Sequence, residues 1–347
     1  MRYQLNKVHP IDNSTQNTDF IERRAVFYIG PYGIKFALAD VDTKQMQIDE
    51  LFYYAKSNIP YKNNIVYSNN HKFTDAIMAQ GLNSILAHKQ NQRLNFFTDK
   101  KTHYSGVANE LFLQATNGKD FLEHVYEVAR IKIDIINKTQ ELKLKYDSVV
   151  AALGASKTSN MIVWHTGKES SEFLYKENNE VQIQKIISTY DDFYMHLKRK
   201  LKKNMILNPL TEKEISYGLD LAIDFIQIPK NILNNLNAGI SIIGIGPIHN
   251  YVAQHYVNFN NIQNLIKQVP RVDLWRYTID ELKQAVLFLA NKENKEIVNL
   301  MYNNRSYYNV DKEMSNMMFL YGMMHKLNIH SVKTVNPKNT FGLLVQK

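Results

Sequence analysis

Cysteine is absent from the 347-residue chain, which excludes structural disulfides, thiolate metal sites, iron–sulfur clusters and cysteine nucleophiles. Long apolar runs are absent as well. The longest, such as Ala285–Ala290, fall far short of the ~20 residues that span a bilayer, so no membrane association is expected. The segment Met1–Asp19 is polar and lacks the apolar stretch of a secretory signal. A cytoplasmic protein is therefore expected. Arginine is scarce: Lys+Arg minus Asp+Glu is 42 − 33 = +9, yet only nine of the basic residues are Arg. Arg is the usual reader of phosphate forks and base edges. An excess carried by Lys along the whole chain points to a solvated surface before it points to nucleic acid.

What is present is a folding balance, with 44% hydrophobic and 22% charged residues. The length suffices for two cores. β-branched and aromatic runs bounded by Gly and Pro predict a hairpin over Ala25–Val41. Thr74–His88 carries Ile77, Met78, Leu82, Ile85 and Leu86 on one helical face, with Thr74 as N-cap. Asn117-Gly118 precedes an amphipathic helix at Phe121–Val128. Ile131–Ile136 alternates as a strand, and Glu141–Leu153 returns to helix. Ser156–Ser159 is a polar break.

Beyond it, strands are expected at Asn160–Trp164, Glu172–Tyr175, Ile240–Ile245 and Ser331–Val335, with an apolar stretch at Val181–Ile187. Helices are expected at Tyr190–Lys203, Thr211–Asn235 and most of 278–327. Strand, Gly-bearing turn and strand thus occur twice, at 26–41 and 161–176. That recurrence predicts a duplicated α/β domain whose turns aim backbone N–H groups into one cleft, a setting suited to phosphate. The expected organisation is a polar extension at 1–22, one domain at 23–150 and a second at 151–347.

Five segments sharpen this picture. Tyr28–Lys35, YIGPYGIK, resembles the first phosphate loop, D-I-G-S-N-S-x-R/K, of the Ppx/GppA family of exopolyphosphatases and guanosine pentaphosphate phosphohydrolases. Ala108–Phe121 is similar to that family's A-T-S-A-x-R-x-A-x-N-G-x-x-F. Ile131–Tyr146 resembles the strand that leads into its acidic S-G-x-E-E-A helix. His165–Phe173, HTGKESSEF, resembles the second loop, D-x-G-G-G-S-T-E, and Ser241–Asn250 the G-T-G-G-T segment. The closing helix, short strand and G-L-L also follow the family.

The resemblance implies two actin/hexokinase-like (ribonuclease H-like, ASKHA) α/β domains with an interdomain cleft. It also implies a polyphosphate or guanosine phosphate ligand, homodimers, and Mg²⁺ if the site turns over; otherwise no cofactor and no metal site is expected. Carried onto this chain, Gly30, Lys35, Gly167, Ser170, Ser171, Gly244 and Gly246 are the candidate ligand-binding residues. Glu141 and Glu172 are the candidate catalytic acids.

The departures bear on chemistry. Both loop aspartates are replaced, by Tyr28 and His165. Pro31-Tyr32-Gly33 stands for S-N-S, and Pro31 has no N–H to give. Lys168 and Glu169 replace glycines, Thr139-Gln140-Glu141 keeps one carboxylate of the acidic helix, Leu113 replaces an Arg, and Pro247 and Ile248 replace small residues. The expected function is a catalytically impaired regulatory or scaffold protein that retains a phosphate-rich ligand or a protein partner. The first alternative is an active phosphoanhydride hydrolase with a rearranged site, and the second is a polyanion- or nucleic-acid-binding protein. Plain readings stand beside each candidate. The glycines and serines can serve turns, Glu141 and Glu172 can be solvated, and His165 reads as a packed or exposed side chain. The dense run Lys198, Arg199, Lys200, Lys202 and Lys203 reads as a solvated face or a docking strip, and Tyr307-Tyr308 beside Arg305 as packing or a base-stacking pair.

Overall fold

The computed structural model describes residues 20–91, 102–155, 160–167, 170–228, 240–251, 265–269, 272–301 and 310–346, with Leu94, Thr98 and Thr158. β1 (Ile21–Gly30) and β2 (Gly33–Asp42) form the expected hairpin, with Gly30 opposite Gly33. β1 is buried without a break from Ala25 to Gly30, the mark of a strand covered on both faces. Gly33 sits at φ +142°, and a Cβ there would lie 2.0 Å from the Ser57 carbonyl oxygen, so the turn requires glycine. β3 (Gln47–Asn58) adds antiparallel to β2, β4 (His103–Asn109) parallel to β1, and β5 (Ile133–Ile136) parallel to β4. The order is β3-β2-β1-β4-β5.

The second sheet repeats this plan. β6 (Met161–Thr166), β7 (Ser171–Glu177) and β8 (Glu180–Ile186) form an antiparallel meander. β9 (Ser241–Ile245) lies parallel to β6, and β12 (Ser331–Thr334) parallel to β9. The run β8-β7-β6-β9-β12 therefore matches the first sheet strand for strand. β11 (Val272–Thr278) and β10 (Leu265–Val269) extend it beyond β12. The duplication expected from the two Gly-bearing hairpins is a duplication of the whole sheet.

In the first half, α1 (Tyr61–Val66), α2 (Asp75–Lys89), α3 (Leu111–Gln114) and α4 (Gly118–Ala129) cover one face, over a core of Phe27, Phe36, Tyr61, Phe112 and Phe121. Thr74 caps α2 as expected, accepting from the Ile77 N–H. Asn117 makes no cap bond to α4; its side chain holds the backbone N–H and C=O of Phe73 instead, both at 2.9 Å. In the second half, α6 (Tyr190–Lys200), α7 (Glu212–Phe225), α8 (Pro247–Tyr251), α9 (Ile279–Phe288), α10 (Asn294–Met301) and α11 (Val310–Lys326) belong to the other helical layer. Phe193, Leu219, Met317 and Phe319 pack at its centre.

The two halves meet on a third core. α5 (Lys138–Leu153) starts in a capping box of Asn137 and Gln140, and it packs against α12 (Asn339–Val345), β3, β7 and β8. Val26, Ala37, Leu142 and Phe341 join Val163, Leu174 and Ile243 in one cluster, so apolar burial fixes both sheets around α5 and α12.

Several expected limits shift. The helix expected to Lys203 stops at Lys200, and Lys202 takes φ +56°, outside the helical region. The helix begun at Thr211 ends at Phe225, and Pro229–Asn235 lies outside the described residues. Ile21 and Glu22, expected in the polar extension, already belong to β1, while residues 1–19 lie outside the described residues, as do Ser156, Lys157 and Ser159 of the polar break. Residue 150, the expected boundary, falls inside α5, and α12 from the end of the chain covers β1 and β2.

Gly342 tests the packing of α12 on α5. A Cβ at this position would lie 2.3 Å from the Leu144 carbonyl oxygen. Gly→Ala in a helix ordinarily stabilises by ~1 kcal/mol. Gly342→Ala is expected to do the opposite and destabilise by ~1–3 kcal/mol. A lowered urea midpoint checks this, and a raised one contradicts the close approach.

Candidate functional site

The two hairpins present matching cross-strand pairs to the same space. Tyr28 faces Lys35 across β1 and β2, and His165 faces Glu172 across β6 and β7. Between them runs α5, whose Glu141, Lys145 and Ser148 stand at i, i+4 and i+7, on one helical face.

These residues form one chain of contacts. The Tyr28 hydroxyl donates to Glu141 Oε1 at 3.0 Å. Lys145 Nζ lies 3.9 Å from Glu141 Oε1 and 3.1 Å from His165 Nε2. His165 Nδ1 lies 2.7 Å from Glu172 Oε2. With the lysine ammonium donating, Nε2 accepts, and the ring proton sits on Nδ1, donated to the fully buried Glu172.

A cavity of about 280 Å³ opens beside this chain, lined by Lys35, Lys145, His165, Gly246, Lys338 and Asn339 among others. Gly246 takes φ +106°, and a Cβ there would collide with the Thr166 carbonyl oxygen at 2.2 Å, so the wall needs glycine at this point.

The electrostatics are cationic. Burial, then the neighbouring Lys338 and Lys56, push the Lys35 ammonium down from 10.5 to about 8. Burial lowers Lys145, with Lys138 adding to the effect and Glu141 and Glu172 opposing it. Burial also lowers Lys338. Burial lowers His165 despite its bond to Glu172, which keeps the imidazole neutral at pH 7. For Glu172, burial favours the protonated form, but the hydrogen bonds from His165 and Ser170 outweigh it and hold the carboxyl below its usual range. Burial and the Glu141 charge push Tyr28 far above its usual range, so it stays a hydrogen-bond donor. Three ammonium groups thus meet two carboxylates, and among the described residues neither Lys35 nor Lys338 has an ion-pair partner. Buried cations without counter-charge are costly, and a bound anion removes that cost.

The same donors speak to Mg²⁺, which demands a near-octahedral oxygen set. Glu141 is engaged by Tyr28 and faces Lys145, and Glu172 is engaged by His165. Among the described residues no group of three His, Asp or Glu side chains is placed to hold an ion, and the ammonium groups repel one. This donor set does not fit Mg²⁺.

Of the expected site residues, the structure brings Lys35, Glu141, Glu172 and Gly246 to the cavity or its immediate contact chain. Gly167 and Ser170 close the turn after His165, with the Gly167 N–H donating to the Ser170 carbonyl at 2.8 Å. Ser171 is buried: its hydroxyl accepts from Trp164 Nε1 at 3.0 Å and donates to the His165 carbonyl at 3.2 Å. Gly30 lies under the Tyr28 ring, where a Cβ would come within 2.9 Å of a ring carbon, and Gly244 lies under His249, where a Cβ would come within 2.6 Å of the imidazole. His249 is itself fully buried against Tyr277 Oη at 2.7 Å, and burial pushes it down to about 3. Gly30 and Gly244 therefore serve close packing.

Lys168, Glu169, Arg305, Tyr307 and Tyr308 lie outside the described residues. The basic run does not form a single strip. Lys198 donates to the Met205 carbonyl, Lys203 to the Pro209 carbonyl and to Glu214, and Arg199 to the Met195 carbonyl, so these side chains hold the chain end of α6; Arg199, Lys200 and Lys202 are exposed. Lys145, Ser148, Lys338 and Asn339 are additions that the motifs do not announce. The Glu141–Lys145–Ser148 spacing is the readable signal for two of them. A larger concavity, of about 810 Å³, lies beside α4 and the edge strand β5, where Lys132 pairs with Asp134 at 3.0 Å and the lining charges are mixed; it gathers no converging set of one sign.

No family model matches the chain, and no curated protein matches it by sequence. Solved structures do match it in fold. The Aquifex aeolicus Ppx/GppA phosphatase, type II variant, superposes with a TM-score of 0.68 at 14% identity, covering 94% of this chain and 99% of that one. Another structure of the Aquifex aeolicus Ppx/GppA family member gives 0.66 at 14%, over 94% and 97%. An exopolyphosphatase from Cytophaga hutchinsonii gives 0.57 at 12%, over 93% and 96%. The chain has the two-sheet fold of these proteins over nearly its full length, as its motifs led one to expect. Among the described residues no helix is long and apolar enough to cross a membrane.

The depressed lysines set a pH dependence. Lys35 binds fewer protons in the folded than in the unfolded chain between about 8 and 10.5, so ligand-free stability rises with pH across that window. Lys35→Met is expected to be more stable than wild type at pH 7 and to lose part of this rise. Urea midpoints at pH 7.5 and pH 9.5 check both signs.

Proposed function

We propose that the cleft binds a compact phosphorylated anion, either a short phosphate chain or the phosphate end of a guanosine phosphate. The protein then acts by binding, as a regulatory or scaffold protein, and not by metal-assisted hydrolysis. One observation carries this reading: Lys35, Lys145 and Lys338 converge on one cavity with too few carboxylates to balance them. Charge-assisted hydrogen bonds to phosphate oxygens are the natural complement of such a set. The fold is shared with phosphatases and exopolyphosphatases, which supports a phosphate-bearing ligand in this cleft. The carboxylates that would serve a metal-dependent hydrolase, Glu141 and Glu172, are both tied into internal contacts, which weighs against their holding a metal ion or activating water directly. A nucleic-acid role loses support because Lys198 and Lys203 are committed to backbone carbonyls.

Calorimetric titration with inorganic pyrophosphate in EDTA tests the proposal. Lys35→Ala and Lys338→Ala are each expected to weaken binding about tenfold, or ~1.4 kcal/mol. Affinity is expected to fall as pH rises through 8, where Lys35 loses its proton. Replacing the exposed Arg199, Lys200 and Lys202 is expected to leave affinity unchanged. Multiple-turnover phosphate release that requires Mg²⁺ and is abolished by Glu141→Gln would overturn the proposal.

A further inference from the structure

Anion binding accounts for the lysines but gives no task to the pair behind them. His165 and Glu172 are both buried, joined at 2.7 Å, and set as direct cross-strand partners. A buried ionisable pair kept only for packing would be matched or bettered by apolar residues of similar size. This pair is also arranged as nucleophile activation requires, with an attacking group oriented by a carboxylate. Glu172 holds the proton on Nδ1, which leaves the Nε2 lone pair free of a proton and directed to the Lys145 side, where His165 reaches the cavity. Glu172 also stabilises the positive charge that the ring acquires when Nε2 forms a bond. The three lysines can neutralise the oxygens of a transferring phosphoryl group, the task that metal ions perform elsewhere.

We propose that His165 is a phosphoryl acceptor, taking the terminal phosphoryl group of a phosphoanhydride bound in the cavity onto Nε2. The proposal rests on the anion-binding reading and adds a covalent step to it. The incoming anion draws the Lys145 ammonium away from Nε2. The Nε2 lone pair attacks the terminal phosphorus, a nitrogen–phosphorus bond forms, and the bridging phosphorus–oxygen bond breaks. Its electron pair stays on the leaving phosphate, which takes a proton from Lys145. For pyrophosphate the products are an Nε2-phosphorylated His165 and one orthophosphate; nothing is oxidised or reduced. Water or a second acceptor can then take the phosphoryl group from the ring. Glu172 is a positioning residue in this step.

The experiment is to incubate the full-length protein with ³²P-labelled inorganic pyrophosphate in EDTA, quench in alkali, and map the label by peptide mass spectrometry. The expected result is label on His165 that is stable in alkali, lost in acid, and absent from His165→Asn. Glu172→Gln is expected to shift the imidazole ¹⁵N signals away from the Nδ1–H tautomer and to slow labelling at saturating pyrophosphate about 10–100-fold while pyrophosphate affinity stays unchanged, a split that a purely structural role would not produce. Wild-type protein that binds pyrophosphate but never carries acid-labile label overturns the phosphoryl-acceptor proposal and leaves anion binding standing. Label that persists in His165→Asn overturns it as well. Failure to bind pyrophosphate at all overturns both.

Discussion

The Lys145 ammonium is the joint on which the cleft depends. It leaves the cavity side of α5 and reaches Glu141 on its own helix and His165 near the end of β6 in the other half. A half-buried cation tolerates few arrangements, because each misplacement leaves its charge poorly paired and poorly solvated. The contacts on either side are fixed by the same demand. Tyr28 holds Glu141 from the first hairpin, and Glu172 holds His165 from the second. The apolar cluster around α5 and α12 supplies the rigidity, since it joins both sheets in one close-packed core.

Phosphoanhydride chemistry needs positive charge around the phosphoryl oxygens, and either a metal held by carboxylates or a set of ammonium groups supplies it. At the two hairpin positions where the resemblance led one to expect carboxylates this chain carries Tyr28 and His165, and Lys35, Lys145 and Lys338 line the cavity. The arrangement is coherent. With Tyr28 unable to ionise, Glu141 keeps a neutral donor beside it, and the cluster keeps its positive excess. Tyr28, Glu141, Lys145, His165 and Glu172 form one connected set of contacts beside a cationic cavity.

Much of the fold was legible, for identifiable reasons. The hairpins showed as apolar, β-branched runs ending at Gly, and Gly33 and Gly246 are required by positive φ. The helix α2 showed through its Thr74 cap and its apolar face of Ile77, Met78, Leu82, Ile85 and Leu86. β3 did not, because a half-exposed edge strand such as LFYYAKSN carries no clean alternation, and the interior strand β4, HYSGVAN, is short, polar at its start and interrupted by Gly106. The cavity was legible only in part. Lys35, Glu141, Glu172 and Gly246 sit in recognisable segments. Lys145 and Lys338, in contrast, are helix and loop lysines, whose ordinary place is in solvent. Only the folded contacts reveal that they are half-buried beside a cavity. Ser171 and Gly244 misled for the opposite reason, since a phosphate loop and a tight core contact draw on the same small residues.

The central claim is that three lysines define an anion site between the two halves, and locating an anion there tests it most directly. Crystals soaked in selenate, a phosphate stand-in with an anomalous signal, are expected to show a peak in the cavity within hydrogen-bond reach of Lys35, Lys145 and Lys338. A cavity without selenate, in crystals where the ion occupies the end of α6 or another surface, would contradict the claim.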